Sequence, residues 1–327
     1  MIELTATEHM SHKDSKKYLG EWVSEDDYDV VYSVDEDVVV YKPGKDINGR
    51  QRVLGAIKKN HFGEEQTHIK ELILSLKEVS NTRANCAGPI DVKQLEKDYG
   101  WKEGVDFKLR TKNSYYTRNK KGDWSMIAMG NNITNIMAGY KRGRFTGKIG
   151  ISGWCKSNPK EWEIVRQISP HNGSAYKAIC PEHYEEQEKF ITESVLPEHR
   201  IEGSVMTTIS INRYDSEYPR MSYHIDAGDL EEGLTTMCIF KDSDTDGNYL
   251  VFPRYRIAVK RDDGDVVIGD SGEVHGVTPM IGDGITVHTI CYCDHRLATI
   301  GDRGKPEKLI GRYAEKVGQS TLEGFFG

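Results

Sequence analysis

The chain has 327 residues, a net charge of −7, and 37% hydrophobic and 29% charged residues, with glycine at 32 positions. That is the balance of an ordinary globular protein, large enough for one elaborated domain or two, and an acidic total does not by itself favour a nucleic-acid partner. No apolar run approaches the roughly 18 residues of a membrane span and the polar N-terminus lacks a signal segment, so no membrane association and a cytoplasmic location are expected. The six cysteines (Cys86, Cys155, Cys180, Cys238, Cys291, Cys293) show no C-x-x-C spacing, which predicts reduced thiols.

In chain order, residues 19–37 carry eight acids and no base. Within and just beyond them, 30–32 and 38–41 read as a short hairpin. An amphipathic helix follows over 64–79, with Ile69, Leu72, Ile73, Leu76 and Val79 on one stripe. Residues 102–148 reverse the charge, with eleven bases against three acids and Tyr115, Tyr116, Trp124 and Tyr140 interleaved. Such a segment suits phosphate contacts and base stacking; a solvated basic surface is the competing reading. A second helix is expected over 183–195, between Pro181 and Pro197.

From Gly203 onward, short β-branched runs alternate with turns: 205–212, 221–227, 235–240, 249–252, 257–260, 266–268, 274–277 and 285–293. These eight strands predict an α+β chain. Its core, 201–300, would be a double-stranded β-helix (jelly roll, cupin-like), preceded by an N-terminal α/β elaboration over 1–200 and followed by a helix at 306–317 within a 301–327 tail. The stretch from Asp242 to Gly247 resembles the start of a calcium loop, but Pro253 stands where a bidentate glutamate is required, so a polar hairpin loop is expected. Residues 262–265 read as a turn leading into the next strand.

Two imidazoles and a carboxylate stand out in that β-region: His224, Asp226 and His275. A two-histidine, one-carboxylate set holds non-haem Fe(II) by three positions and leaves others open. The spacing alone is common, since His12-Lys13-Asp14 repeats it in a polar stretch. Strand alternation over 221–227 would put His224 and Asp226 on one face, within reach of one ion.

The run from Gly247 to Val259, with Gly269-Asp270 and Val274-His275-Gly276-Val277-Thr278-Pro279, resembles the TET/JBP family of Fe(II)- and 2-oxoglutarate-dependent nucleic-acid oxygenases, in particular its phage and bacterial members. The likeness continues upstream through 206–212 and 224–233, and weakly to 80–83 and 87–88. It implies Fe(II) on His224, Asp226 and His275, with 2-oxoglutarate and molecular oxygen as cosubstrates. It also implies hydroxylation of the C5 methyl of 5-methylcytosine or thymine in DNA, gripped through 102–148. For a phage-encoded chain the location becomes the host cytoplasm. Asn212 and Tyr214, an N-x-Y pair, correspond to residues that face the cosubstrate in related oxygenases.

The chain departs from the family where a last-strand arginine grips the distal carboxylate of 2-oxoglutarate in a bidentate pair. Thr286 or His288 occupies that place. The substitutes open to sequence reasoning are a protonated His288, Arg296 of the same parity, or Arg220, four residues before His224; altered cosubstrate use is the other outcome. Two further classes remain: a 2-oxoglutarate oxygenase of a small molecule or protein side chain, and a non-catalytic metal-binding jelly-roll module. Oligomeric state is not legible.

Overall fold

The computed structural model describes residues 1–299 apart from positions 34, 47–48, 64–65, 77–78, 81–87, 113, 119–120, 129–132, 144–147, 217–219 and 227. The expected helix at 306–317 and most of the weak resemblance at 80–88 lie outside the described residues.

Two sheets face each other. The larger runs edge to edge through Ile2–Thr5, Val38–Lys45, Gln51–Lys58, Val266–Gly269, Thr235–Lys241, Thr286–Tyr292, Thr208–Tyr214, Ile133–Arg142 and Ile149–Ile151. The smaller runs Met221–His224, His275–Val277, Leu250–Phe252, Ile257–Val259 and Val30–Tyr32. The four strands of each sheet that fall between 208 and 292 are the eight expected from the sequence, and they make the jelly roll. Alternation sorts the side chains of the larger sheet. Ser210, Asn212 and Tyr214 turn inward with His288, Ile290 and Tyr292, all lining an interior cavity. Ile209, Ile211, Val287 and Cys291 turn outward into an apolar cluster with Ile168, Ala175, Tyr176 and Ile179 of the covering helix Ile168–Ile179. Cys293 belongs to a different cluster, with Phe190, Val195 and Leu230. Cys155, Cys180, Cys238, Cys291 and Cys293 are all free and buried.

The hairpin expected from 30–32 and 38–41 does not form. Val30–Tyr32 runs parallel to Ile257–Val259, while Val38–Lys45 pairs with Ile2–Thr5 and Gln51–Lys58. Val38, Val39 and Val40 are all buried, which a two-stranded ribbon open to water cannot provide. Residues before 201 therefore extend both sheets of the core. The helix expected over 64–79 is shorter, Thr67–Ser75, because Leu76 turns extended and Val79–Ser80 joins strand Ile133–Arg142. The helix expected over 183–195 is Pro181–Ser194. Helices Gly153–Ser157, Pro159–Val165 and Ile168–Ile179 were not expected.

The calcium-like stretch is a loop ending in Asp246–Gly247, which pairs with Met280–Ile281. The 262–265 turn is tied down by Lys59, whose Nζ donates to Asp262 and Asp265 at 2.7 Å each. Within the basic segment, Phe107–Thr111, Ser114–Arg118 and Trp124–Ala128 form a separate antiparallel sheet, while Ile133–Arg142 belongs to the larger one.

Candidate metal centre

His224 is the last residue of its strand and lies directly opposite His275, the first of the neighbouring strand. Their ring centroids are 4.3 Å apart. Each imidazole is fixed in the same way: Nδ1 of His224 is 2.8 Å from the Ser222 carbonyl oxygen, and Nδ1 of His275 is 2.9 Å from that of Glu273. A backbone carbonyl only accepts, so Nδ1 carries the proton and Nε2 offers its lone pair. Gly276 completes the local packing, because a Cβ there would stand 2.7 Å from Val23 and 2.8 Å from Tyr223.

Asp226 reaches the pair by a route other than strand alternation. The strand ends at His224, and Asp226 sits in the following turn, its N–H donating to the Ser271 carbonyl at 3.1 Å. Its carboxylate is 4.0 Å from His224 Nε2 and 3.8 Å from His275 Nε2. One ligand atom from each of the three falls within 4.8 Å of the others, the geometry of a facial metal site.

Beside the triad, Asp229 accepts from the Thr235 and Ser271 hydroxyls, both at 2.5 Å. Burial first, then the Asp226 charge, pushes its carboxyl well above the usual range. Below His275 lies a buried ion network. Lys42, 4% exposed, donates to Glu273 at 2.8 Å and also to Asp270; Arg254 donates to Glu273 at 2.8 Å. Burial raises the Glu273 carboxyl, but Lys42 and Arg254 outweigh it and hold the group at about 2. His12 lies 3.3 Å from Glu273, so this histidine touches the support of the site although it is not part of the triad. Sequence reasoning missed Asp229, Glu273 and Lys42; nothing in their local spacing signals contacts that span up to 231 positions.

The triad opens on a cavity of about 140 Å³ between the sheets, lined among others by Asn212, Tyr214, Met237, Phe252, His288 and Arg296. On the Asp226 side a wider cleft of about 570 Å³ adjoins it, with Arg50, Arg52, His183 and Arg254 in its walls. Asn212 and His288 are register partners on adjacent strands, and the Tyr214 ring lies 4.4 Å from that of His288. Burial, with Arg261 and Lys241 nearby, holds His288 well below the ordinary histidine range, which disfavours an imidazolium at that position. Arg296 stands at the mouth with its guanidinium paired to Asp294 by two 2.7 Å bonds. Arg220 does not line the cavity; its guanidinium lies 4.2 Å over the Trp22 ring. Thr286 is engaged by the Thr245 hydroxyl at 2.8 Å.

In the basic segment, Lys108 and Arg118 lie over the Trp124 ring at 4.7 and 4.4 Å. Lys112 pairs with Glu21 of the acidic stretch at 2.7 Å. Arg142 is structural, donating to the carbonyls of Arg296 and Ala298 at 2.6 and 3.1 Å.

Residues 154–295 match the model of the Tet_JBP oxygenase domain of the 2OGFeDO superfamily. The bifunctional helicase and thymine dioxygenase JBP2 of Trypanosoma brucei brucei is 33% identical over 193 residues, covering 54% of this chain and 17% of that protein. The thymine dioxygenase JBP1 of Crithidia fasciculata is 32% identical over 117 residues, covering 36% of this chain and 13% of that protein. This chain thus matches less than a fifth of the length of either relative. Among solved structures, NgTET1 in complex with 5mC DNA superposes with a TM-score of 0.49 at 11% identity, covering 94% of this chain and 100% of that one.

Proposed function

We propose, on the match of residues 154–295 to the Tet_JBP oxygenase domain model of the 2OGFeDO superfamily, that the chain is an Fe(II)- and 2-oxoglutarate-dependent dioxygenase. Its substrate in this reading is the C5 methyl of a pyrimidine, 5-methylcytosine or thymine, in DNA. The carrying observation is the set of two tautomer-fixed Nε2 atoms and one carboxylate at the cavity. This donor set fits Fe(II), which prefers imidazole and carboxylate with open positions left over. When bound there with 2-oxoglutarate and oxygen, the metal supplies the oxidising chemistry that hydroxylates a C–H bond.

The chain's own residues do the positioning. The carbonyls of Ser222 and Glu273 hold the two rings, and Glu273 is itself braced by Lys42 and Arg254. Asp226 brings the negative charge, with its side chain 32% exposed toward the adjoining cleft. Asn212 and Tyr214 face the cavity from the larger sheet as cosubstrate contacts. A duplex base must leave the stack to reach so enclosed a site, at a cost of a few kcal/mol. The cationic and aromatic surface of Lys108, Arg118 and Trp124 is suited to offset that cost through phosphate contact and stacking.

The test is anaerobically purified protein given Fe(II), 2-oxoglutarate and oxygen with methylcytosine-bearing or unmodified DNA, nucleosides being read by mass spectrometry. The expected result is a 5-hydroxymethyl base formed together with succinate. Succinate without any altered base would move the substrate to a small molecule or a protein side chain.

A further inference from the structure

Behind Met237, a residue of the cavity wall, lies a buried charge with few partners. Strand Ile257–Val259 places Ile257 and Val259 in the apolar cluster between the sheets. Two residues on, in the same parity, comes Arg261, which is 2% exposed. Its Nη1 lies 3.1 Å from the Met237 sulfur, a weak acceptor, and its Nε and Nη2 have no hydrogen-bond partner among the described residues. The neighbouring carboxylates are committed elsewhere: Asp262 and Asp265 to Lys59, Asp263 to Lys70. Burial lowers the guanidinium to about 10, so it stays protonated at neutral pH.

Three of the groups around this cation are cavity groups. Met237, His288 and Tyr214 all line the cavity, and the Tyr214 and His288 rings lie 4.4 Å apart. Nε2 of His288 is also buried and without a hydrogen-bond partner among the described residues. A guanidinium sealed among apolar side chains is costly unless an anion meets it. Its planar fork matches a carboxylate bidentately, and the unbranched Met237 is the kind of side chain that changes rotamer readily. The last strand, Thr286–Tyr292, contributes no arginine to this end of the cavity.

We propose that Arg261 is the anchor for the distal carboxylate of the 2-oxo diacid cosubstrate, reached when Met237 swings aside, with His288 as its hydrogen-bonding neighbour. This rests on the 2-oxoglutarate-dependent reading and adds to it the residue that selects a diacid. An arginine that follows strand Ile257–Val259 of the smaller sheet replaces the one that the last strand lacks. The metal-chelating end of the cosubstrate is then directed toward the triad.

The experiment is anaerobic calorimetry of the Fe(II)-loaded full chain with 2-oxoglutarate and with 2-oxopentanoate, which keeps the chelating end and carries a methyl in place of the distal carboxylate. The wild type is expected to prefer 2-oxoglutarate by at least about 30-fold, as loss of a buried charge pair implies. Arg261→Met should bring 2-oxoglutarate down to the level of 2-oxopentanoate and leave the latter unchanged; Arg261→Lys should recover part of the preference. Arg261→Gln, less apolar, serves should the methionine variant unfold. A variant that still discriminates, or that loses both ligands equally, overturns the role of Arg261 alone. A wild type that binds neither ligand overturns the cosubstrate reading as well.

Discussion

His224 and His275 face each other across two antiparallel strands, and each ring is held by the carbonyl of the residue two positions before it. The pair is symmetric in its local chemistry and asymmetric in its support. Ser222 belongs to the strand itself, whereas Glu273 is gripped by Lys42 and Arg254.

Loss of a ligand should abolish metal binding with the fold retained. His224→Ala, Asp226→Ala or His275→Ala is expected to weaken Fe(II) or Mn(II) binding by more than the about 10–100-fold that outer partners contribute, with thermal unfolding little changed. Equilibrium metal titration checks this. The control is His68→Ala, an exposed histidine, because His12 contacts Glu273. Metal affinity falling as far in His68→Ala as in His224→Ala would refute the assignment.

The network below His275 should couple stability to metal affinity. Lys42→Ala leaves Glu273 and Asp270 short of a buried cation, and removing one partner of such a group costs about 3–5 kcal/mol. Urea denaturation should register that loss, and metal titration a weakening of about 10-fold or more through the loosened His275. Full metal affinity in a destabilised Lys42→Ala would show the network to be structural only.

Acid sensitivity should trace to buried neutral histidines. Burial lowers His288 well below its ordinary value, and also lowers His61, His171 and His183. The unfolded chain binds protons near pH 6.5 while the folded chain does not, so stability is full above that pH and is lost as pH falls from it toward the folded values. Each histidine adds up to about 1.4 kcal/mol per pH unit in that window. His288→Asn should therefore flatten the fall in unfolding free energy between pH 6.5 and 5, measured by denaturant titration at several pH values; an unchanged slope would contradict it.

The basic segment should announce itself in salt dependence. Neutralising Lys108, Arg110 and Lys121 is expected to lower DNA affinity and to flatten its dependence on log salt by about 0.9 per lost phosphate contact. Arg142 does not belong in that set, because it holds backbone carbonyls, and Lys112 is paired to Glu21. Metal binding should be unaffected. An unaltered salt slope would make the segment a solvated face.

The eight core strands were legible because alternation and turns are local signals, and the histidines of the triad followed from them. The helix Ile168–Ile179 was not, since Pro170 and Gly173 read as breakers. Pro170 is tolerated in the first turn, and Gly173 lies under the Tyr184 ring, 3.9 Å from where its Cβ would be. The early hairpin failed because adjacent β-branched runs say nothing about which sheet each will join. Asp226 was correctly grouped with the histidines, but a turn bond to Ser271, and not strand parity, places it. Arg261 did leave a trace: Ile257, Val259 and Arg261 share one parity, and a charged residue that continues a buried stripe is a signal of its own.

The strands from the first sixty residues have a practical consequence. Gln51–Lys58 covers the free side of Val266–Gly269, and Val30–Tyr32 covers that of Ile257–Val259. A fragment trimmed to the stretch of family likeness would bare the hydrogen-bonding edges of both sheets at once, an invitation to pair with other copies. Both sheets reach beyond the stretch of family likeness, and a soluble minimal fragment has to be cut to keep them whole.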